Sequence, residues 1–202
     1  MNRRSMIALA GVAAVPAIMA AGPLLAQDNN ANNASGNAMG AAETKHMQDT
    51  MRVGGLALLT SRVAQEKASD PLLHAFAKWE TSEQEAIGSV LKSMQQMSQN
   101  GQMAQAFGKL QPPSDDEVMA MLGDGEKQML QQMQGMSGKD FDNAYLQGQL
   151  QGHQQLLQIQ EDYLASGQNI HHVHVAQLAR PTIQEHIEHL QGMSQTTSST
   201  EQ

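Results

Sequence analysis

The chain has 202 residues, with 12 Lys or Arg against 20 Asp or Glu, eight His, 15 Met and no Cys. Without cysteine there are no disulfides, thiolate metal sites, Cys nucleophiles or lipid-bearing cysteine. Acidity combined with three Phe, one Trp and two Tyr leaves no basic, aromatic-lined surface for nucleic acid and no attraction to anionic lipid.

The first residues, MNRRSMIALAGVAAVPAIMAAGPLLAQ, place Arg3 and Arg4 before an uncharged run rich in Ala, Ile, Val and Met. A short positive start, an apolar middle and a small-residue end predict a secretory signal peptide over residues 1–26, cut after Ala26. Gly11, Pro16 and Gly22-Pro23 interrupt the run, which argues against a retained span. Arg3-Arg4 followed by Ser5-Met6-Ile7 also loosely resembles a twin-arginine export signal. The expectation is therefore an exported, periplasmic protein with no stable membrane span after cleavage. Removing residues 1–26 leaves ten basic and 20 acidic side chains, a balance of −10.

Residues 27–45, rich in Asn, Ala and Gly, have no apolar period and predict a flexible linker. Residues 193–202 predict a disordered tail on the same grounds. Residues 46–192 between them suffice for one domain. The predicted elements within it are all helical. A first helix over 44–68 carries Val53, Leu56, Thr60, Val63 and Lys67 on one stripe. Asp70-Pro71 then gives an N-cap and a first-turn proline. The second helix, 71 to about 99, aligns Leu73, Phe76, Glu80, Glu83, Ile87, Val90, Met94 and Met97. Pro112-Pro113 breaks the chain, and Ser114 with Glu117 forms a capping box for a shorter helix over 115–134. Long helices follow at about 140–165 and 170–192. No segment alternates with period two beside turn signals, so the fold class is all-α, an antiparallel four-helix bundle with an extra short helix in the middle connection.

The histidines separate by face. His153 falls between Leu146, Leu150 and Leu157, and His186 continues the spacing of Val173, Ala176 and Ile183. Both point inward from neighbouring helices, where imidazole is a common nitrogen ligand for transition metals. His171, His172 and His189 fall on other faces and read as surface residues, with His174 at the edge. Glu83 shares the inward stripe and is the expected third ligand beside His153 and His186, for a divalent transition metal such as Zn, Cu or Fe. The other reading of the pair is a hydrogen-bonded one, His153 and His186 meeting Glu83 or Tyr145 and fixing helix register. Met94, Met97, Met129, Met133 and Met136 keep helical core spacing and read as packing rather than a copper site. No nucleophile elbow or phosphate loop emerges, and Asp142 and Tyr145 read as a helix N-terminal charge and a core ring.

Three stretches resemble the family known as domain of unknown function 4142. They are AQEKASDPLLHAFAKWETSEQEAI, FDNAYLQGQLQGH and ARPTIQEHIEHL, and the resemblance spans about residues 50–192. It implies a ferritin-like four-helix bundle, often described as an exported or outer membrane protein, with inward polar residues including His153 and His186. The family's usual Asp-His is Glu83-Gln84 here, and Ala57 stands where a first-helix glutamate is usual. The chain is also read as lacking the Glu-x-x-His pair that di-iron bundles use. A di-iron enzyme is therefore not expected. What is expected is a non-catalytic exported bundle serving envelope maintenance or stress tolerance with a protein partner. A periplasmic metal-binding protein and an unrecognised ferritin-like enzyme are the alternatives.

Overall fold

A computed structural model describes residues 39–100 and 110–199. The expected signal peptide and most of the expected linker lie outside the described residues. The described chain forms six helices: α1 (Ala41–Lys67), α2 (Pro71–Asn100), α3 (Asp115–Met121), α4 (Asp124–Gly135), α5 (Gly138–Ser166) and α6 (Ile170–Ser199). Among the described residues there is no strand.

Several helices begin where a backbone N–H finds a carboxylate or a hydroxyl. Ser114 and Glu117 exchange hydrogen bonds at the start of α3, at 3.2 and 2.8 Å, as their spacing requires. The single helix expected over 115–134 is two, because Leu122 is extended (ψ 141°) and Gly123 restarts the chain as the N-cap of α4, its N–H donating to Glu126 Oε2 at 2.8 Å. The α1–α2 turn is held from a distance. Asp142 of α5 accepts the Ser69 and Asp70 N–H groups, both at 3.0 Å, and the Ser69 hydroxyl. Asp142 is thus a cap for a turn 73 residues away in sequence rather than the helix N-terminal charge expected, since the acidic residue in the first turn of α5 is Asp140.

The domain extends beyond both expected limits. Residues 41–45, expected as linker, are the first turn of α1, where Gly40 N–H donates to Glu43 Oε2 at 3.0 Å and Glu43, His46 and Met47 are buried. Residues 193–199, expected as disordered tail, continue α6. Extending an existing helix needs no new nucleus, so a polar sequence can prolong it.

Cross-helix contacts fix the directions. Met47 packs with Leu91 and Met94, whereas Gln65 Nε2 donates to Thr81 Oγ1 at 2.7 Å, so α1 and α2 are antiparallel. His46 meets Gln160 and Ser61 meets Tyr145, both at 2.8 Å, so α5 also runs against α1. His46 contacts His172 near the start of α6, which makes α6 parallel to α1. The α2-to-α5 connection crosses the length of the molecule. Along it, Val118 packs on Leu58 and Leu59, Glu126 pairs with Arg52, and Lys67 Nζ donates to the Gln134 and Met136 carbonyls.

Leu73, Phe76, Phe141, Tyr145 and Leu190 fill one end of the interior, and Met47, Leu91 and Met94 the other. Between them lie Val53, Leu156, Ala179 and Ile183. Burying such side chains supplies about 1.5–3 kcal/mol each. The interior is nonetheless unusually polar: Glu43, His46, Glu80, Gln149, His153, Gln160, His172 and His186 are all buried. No described helix is long and apolar enough to cross a membrane.

Candidate metal centre

Three helices each bring one polar side chain to the middle of the interior: Glu80 from α2, His153 from α5 and His186 from α6. They are 0%, 1% and 8% exposed. Phe76, one turn before Glu80, walls the group, its ring 5.9 Å from His153 and 5.1 Å from His186.

The hydrogen-bond chemistry fixes which atoms face inward. His153 Nδ1 lies 2.8 Å from the Gln149 carbonyl, which can only accept, so Nδ1 carries a hydrogen and Nε2 is left for the interior. Nε2 is 3.2 Å from Glu80 Oε2 and 3.1 Å from His186 Nδ1, and His186 Nδ1 is 3.2 Å from the same carboxylate oxygen. These three atoms form a nearly equilateral triangle. Ligand atoms about 2.0–2.1 Å from a transition metal are about 2.9 Å apart in octahedral geometry and about 3.3 Å in tetrahedral geometry. The triangle falls between the two. It is also a chemically apt set, two imidazoles and one carboxylate, with Glu80 Oε1 buried and without a hydrogen-bond partner.

Without a metal, protons must occupy the triangle. Burial alone would raise the pKa of Glu80, but the His153 charge and the hydrogen bonds from both imidazoles overcome it and hold the carboxyl down at about 2. Burial alone would lower the pKa of His153, and the Glu80 charge and hydrogen bond, helped by the Gln149 carbonyl, raise it instead. In the metal-free site the Glu80 carboxylate thus favours the protonated form of His153. A metal would displace the proton from His153 Nε2.

Glu83, expected as the third ligand, is not at the triangle. Its Oε2 is 3.5 Å from His186 Nε2, the outer nitrogen of that ring, and Glu80 takes the inner place. Glu83 is suited to orienting His186 from outside, the usual role of a carboxylate behind a metal-binding imidazole. Burial first, and then the Glu80 charge, raise its pKa. It also opens onto a groove between α2 and α6 lined by Ile87, Val90, Leu178 and Thr182. Tyr145 does not reach either histidine; its hydroxyl pairs with Ser61.

The remaining histidines divide unevenly. His171 and His189 are exposed, but His172, expected at the surface, is 1% exposed. The inward stripe of α6 is His172, Ala176, Ala179, Ile183, His186 and Leu190, unbroken at steps of four and three. Starting the stripe at Val173 shifts its first turn by one position and sends His172 to the wrong face. The His172 ring instead meets His46, Nδ1 to Nδ1 at 2.9 Å, in a second polar cluster nearer the start of α1. There Tyr163 donates to Glu43 Oε1 at 2.9 Å and stacks on His46 at 4.3 Å.

Sequence reasoning misses this cluster because Glu43 falls inside the expected linker. Glu43-Thr44-Lys45-His46 is a Glu-x-x-His run, which corrects the reading of the chain as lacking one, and its i, i+3 spacing was the available signal. It does not complete a di-iron site, since it serves the second cluster and not the Glu80 triangle. Ala57, where a glutamate was expected by resemblance, offers its carbonyl to Gln149 Nε2 at 3.2 Å.

The sequence matches the family described as a domain of unknown function, DUF4142, over residues 28–193. The chain belongs to the DUF4142 family. The DUF4142 match extends the resemblance noted over residues 50–192 through the whole of the first helix, Glu43 and His46 included. No curated protein and no solved structure matches the chain.

Proposed function

We propose that this DUF4142 protein is an exported, non-catalytic helical protein that holds one divalent transition metal through Glu80, His153 and His186. The convergence of two imidazole nitrogens and one carboxylate oxygen within 3.1–3.2 Å of one another, in a buried interior, carries the reading. Two histidines and a carboxylate on one face suit Fe(II), Zn(II) or Cu(II). Burial of all three ligands supports retention of the metal rather than turnover of a substrate, and so a carrier, sensor or structural role in envelope maintenance or stress tolerance. Two antiparallel pairs joined by a long crossover support a ferritin-like bundle, and the uncharged run after Arg3-Arg4 supports export to the periplasm.

The test is a set of competition titrations of Zn(II), Fe(II) and Cu(II) into untagged protein and its variants. Tight one-to-one binding is expected in the wild type and in His171→Ala/His189→Ala, with a loss on the order of a hundredfold or more in Glu80→Gln and His153→Ala. Binding unchanged in Glu80→Gln and lost in the exposed-histidine variant would refute the assignment.

A further inference from the structure

The second buried cluster lies at the seam between the start of α1 and the start of α6, away from the candidate metal centre. His186 is 14 positions beyond His172 on α6, which at about 1.5 Å per residue separates the two clusters by about 21 Å. His46 Nε2 is 2.8 Å from Gln160 Oε1, and Gln160 Nε2 is 3.1 Å from Thr50 Oγ1. With the amide oxygen on His46 and its nitrogen on Thr50, His46 Nε2 is the donor. That leaves His46 Nδ1 as a lone pair, and the 2.9 Å contact requires His172 Nδ1–H to donate to it. His172 Nε2 is then a second lone pair, buried and without a partner. Both rings are neutral in this arrangement, which satisfies the Gln160 and His–His contacts together.

We infer that the His46–His172 pair is an acid-sensitive latch: it joins α6 to α1 while both rings are neutral, and protonation releases the first turns of α6. One proton converts the pair to an imidazolium that can still donate across the seam, but only by moving a hydrogen to His172 Nε2, where no acceptor waits. A second proton sets two cations 2.9 Å apart with no acceptor between them. The seam has little else to hold it, since α1 packs chiefly on α2 and α5 and α6 chiefly on α5. Its release would uncover the apolar group of Met47, Leu91 and Met94, against which Val175 of α6 packs.

The neighbouring charges act in both directions on the pair. From α1, Glu43 and Asp49 favour the protonated form of His46, as does its Gln160 hydrogen bond from α5. Tyr163 of α5 faces both rings as a neutral phenol, its pKa raised by burial and by Glu43. On α6, His171 disfavours a charge on His172. Among the described residues α2 brings no charged group to either ring. Burial prevails in both cases: it lowers the pKa of His46, and with the His46 ring beside it holds His172 down at about 4.

Amide hydrogen exchange read by mass spectrometry tests the latch, comparing peptides covering 170–180 and 183–195 between pH 7 and 4 after correction for intrinsic exchange. Protection of 170–180 is expected to fall on the order of tenfold or more on acidification while 183–195 keeps its protection, and the fall should vanish in His46→Gln/His172→Gln but persist in His171→Gln. Equal behaviour of the two segments, or an unchanged fall in the double variant, overturns it. Should the double variant not fold, imidazole NMR titration of the wild type decides. Both rings titrating below the ordinary imidazole range, together with the amides of 170–180, supports the latch. Either ring titrating near 6.5 with no local change overturns it. No variant in this test alters a residue of the candidate metal centre, so the two proposals fail separately.

Discussion

At the scale of single residues, the decisive contrast is between Glu80 and Glu83. They are three positions apart on α2 and both belong to an inward stripe, yet only one is fully buried. Glu80 carries a charge at 0% exposure, tolerated because His153 and His186 face it. Removing a partner from such a pair leaves an uncompensated buried charge, which costs about 3–5 kcal/mol. His153→Ala should therefore destabilise the metal-free protein by about 3 kcal/mol or more in urea unfolding, whereas His189→Ala on the exposed face should stay within about 0.5 kcal/mol. Comparable losses in the two variants would remove the buried pair from the account. Glu83→Gln should leave metal binding in place and weaken it about tenfold to a hundredfold, the effect of losing an outer carboxylate rather than a ligand. Metal competition reads that difference directly.

At the scale of elements, small residues decide where helices approach. A Cβ on Gly55 would lie 2.7 Å from Val118 Cγ1, and Val118 is fully buried beneath α3 with no room to retreat. An alanine inside a helix is normally worth about 1 kcal/mol over glycine, but overpacking costs about 1–3 kcal/mol. Gly55→Ala should thus be destabilising, while Gly148→Ala on α5, where a Cβ meets nothing within 4 Å, should stabilise by up to about 1 kcal/mol. Thermal melts of the two variants should move in opposite directions, and a shift of the same sign would contradict the packing described for α3. Caps and breakers made most element boundaries legible in the sequence: Asp70-Pro71, the Ser114–Glu117 box and Gly167 all stand at helix ends. What was not legible is phase. The stripe of α1 holds His46, Thr50, Ala57 and Ala64, and that of α5 holds Gln149, His153, Leu156 and Gln160, several of them polar or small. Reading by apolar residues alone slides the stripe by one position. His153 and His186 survive that error because apolar residues flank them, whereas His172 and Gln160 do not. The choice of Glu80 over Glu83 needed the same phase, set by Leu73, Phe76, Ala77 and Gln84.

At the scale of the whole molecule, the two buried clusters give stability opposite slopes in pH. His46 and His172 have folded pKa values below their unfolded ones, so the unfolded chain binds more protons between about pH 6.5 and 4, and stability falls as pH drops through that window. His153 has its pKa raised, so its contribution is complete below about 6.5 and is lost as pH rises through the folded value. Metal-free protein should therefore be most stable at mildly acidic to neutral pH, with the acid limb flattened in His46→Gln/His172→Gln and the alkaline limb reduced in His153→Gln. A monotonic profile across pH 4 to 9 would contradict both assignments. Bound metal should remove the alkaline limb, because a coordinated His153 has no proton on Nε2 left to lose.

The measurement that tests the central claim most directly is an anomalous difference map from crystals of metal-loaded protein, recorded at the absorption edge of the metal supplied. One peak is expected inside the bundle, about 2 Å from Glu80, His153 Nε2 and His186 Nδ1, with Glu83 on the far side of the His186 ring. A peak on His171 and His174 at the surface, or no peak in the interior of a fully loaded crystal, would show that the triangle of Glu80, His153 and His186 holds only protons.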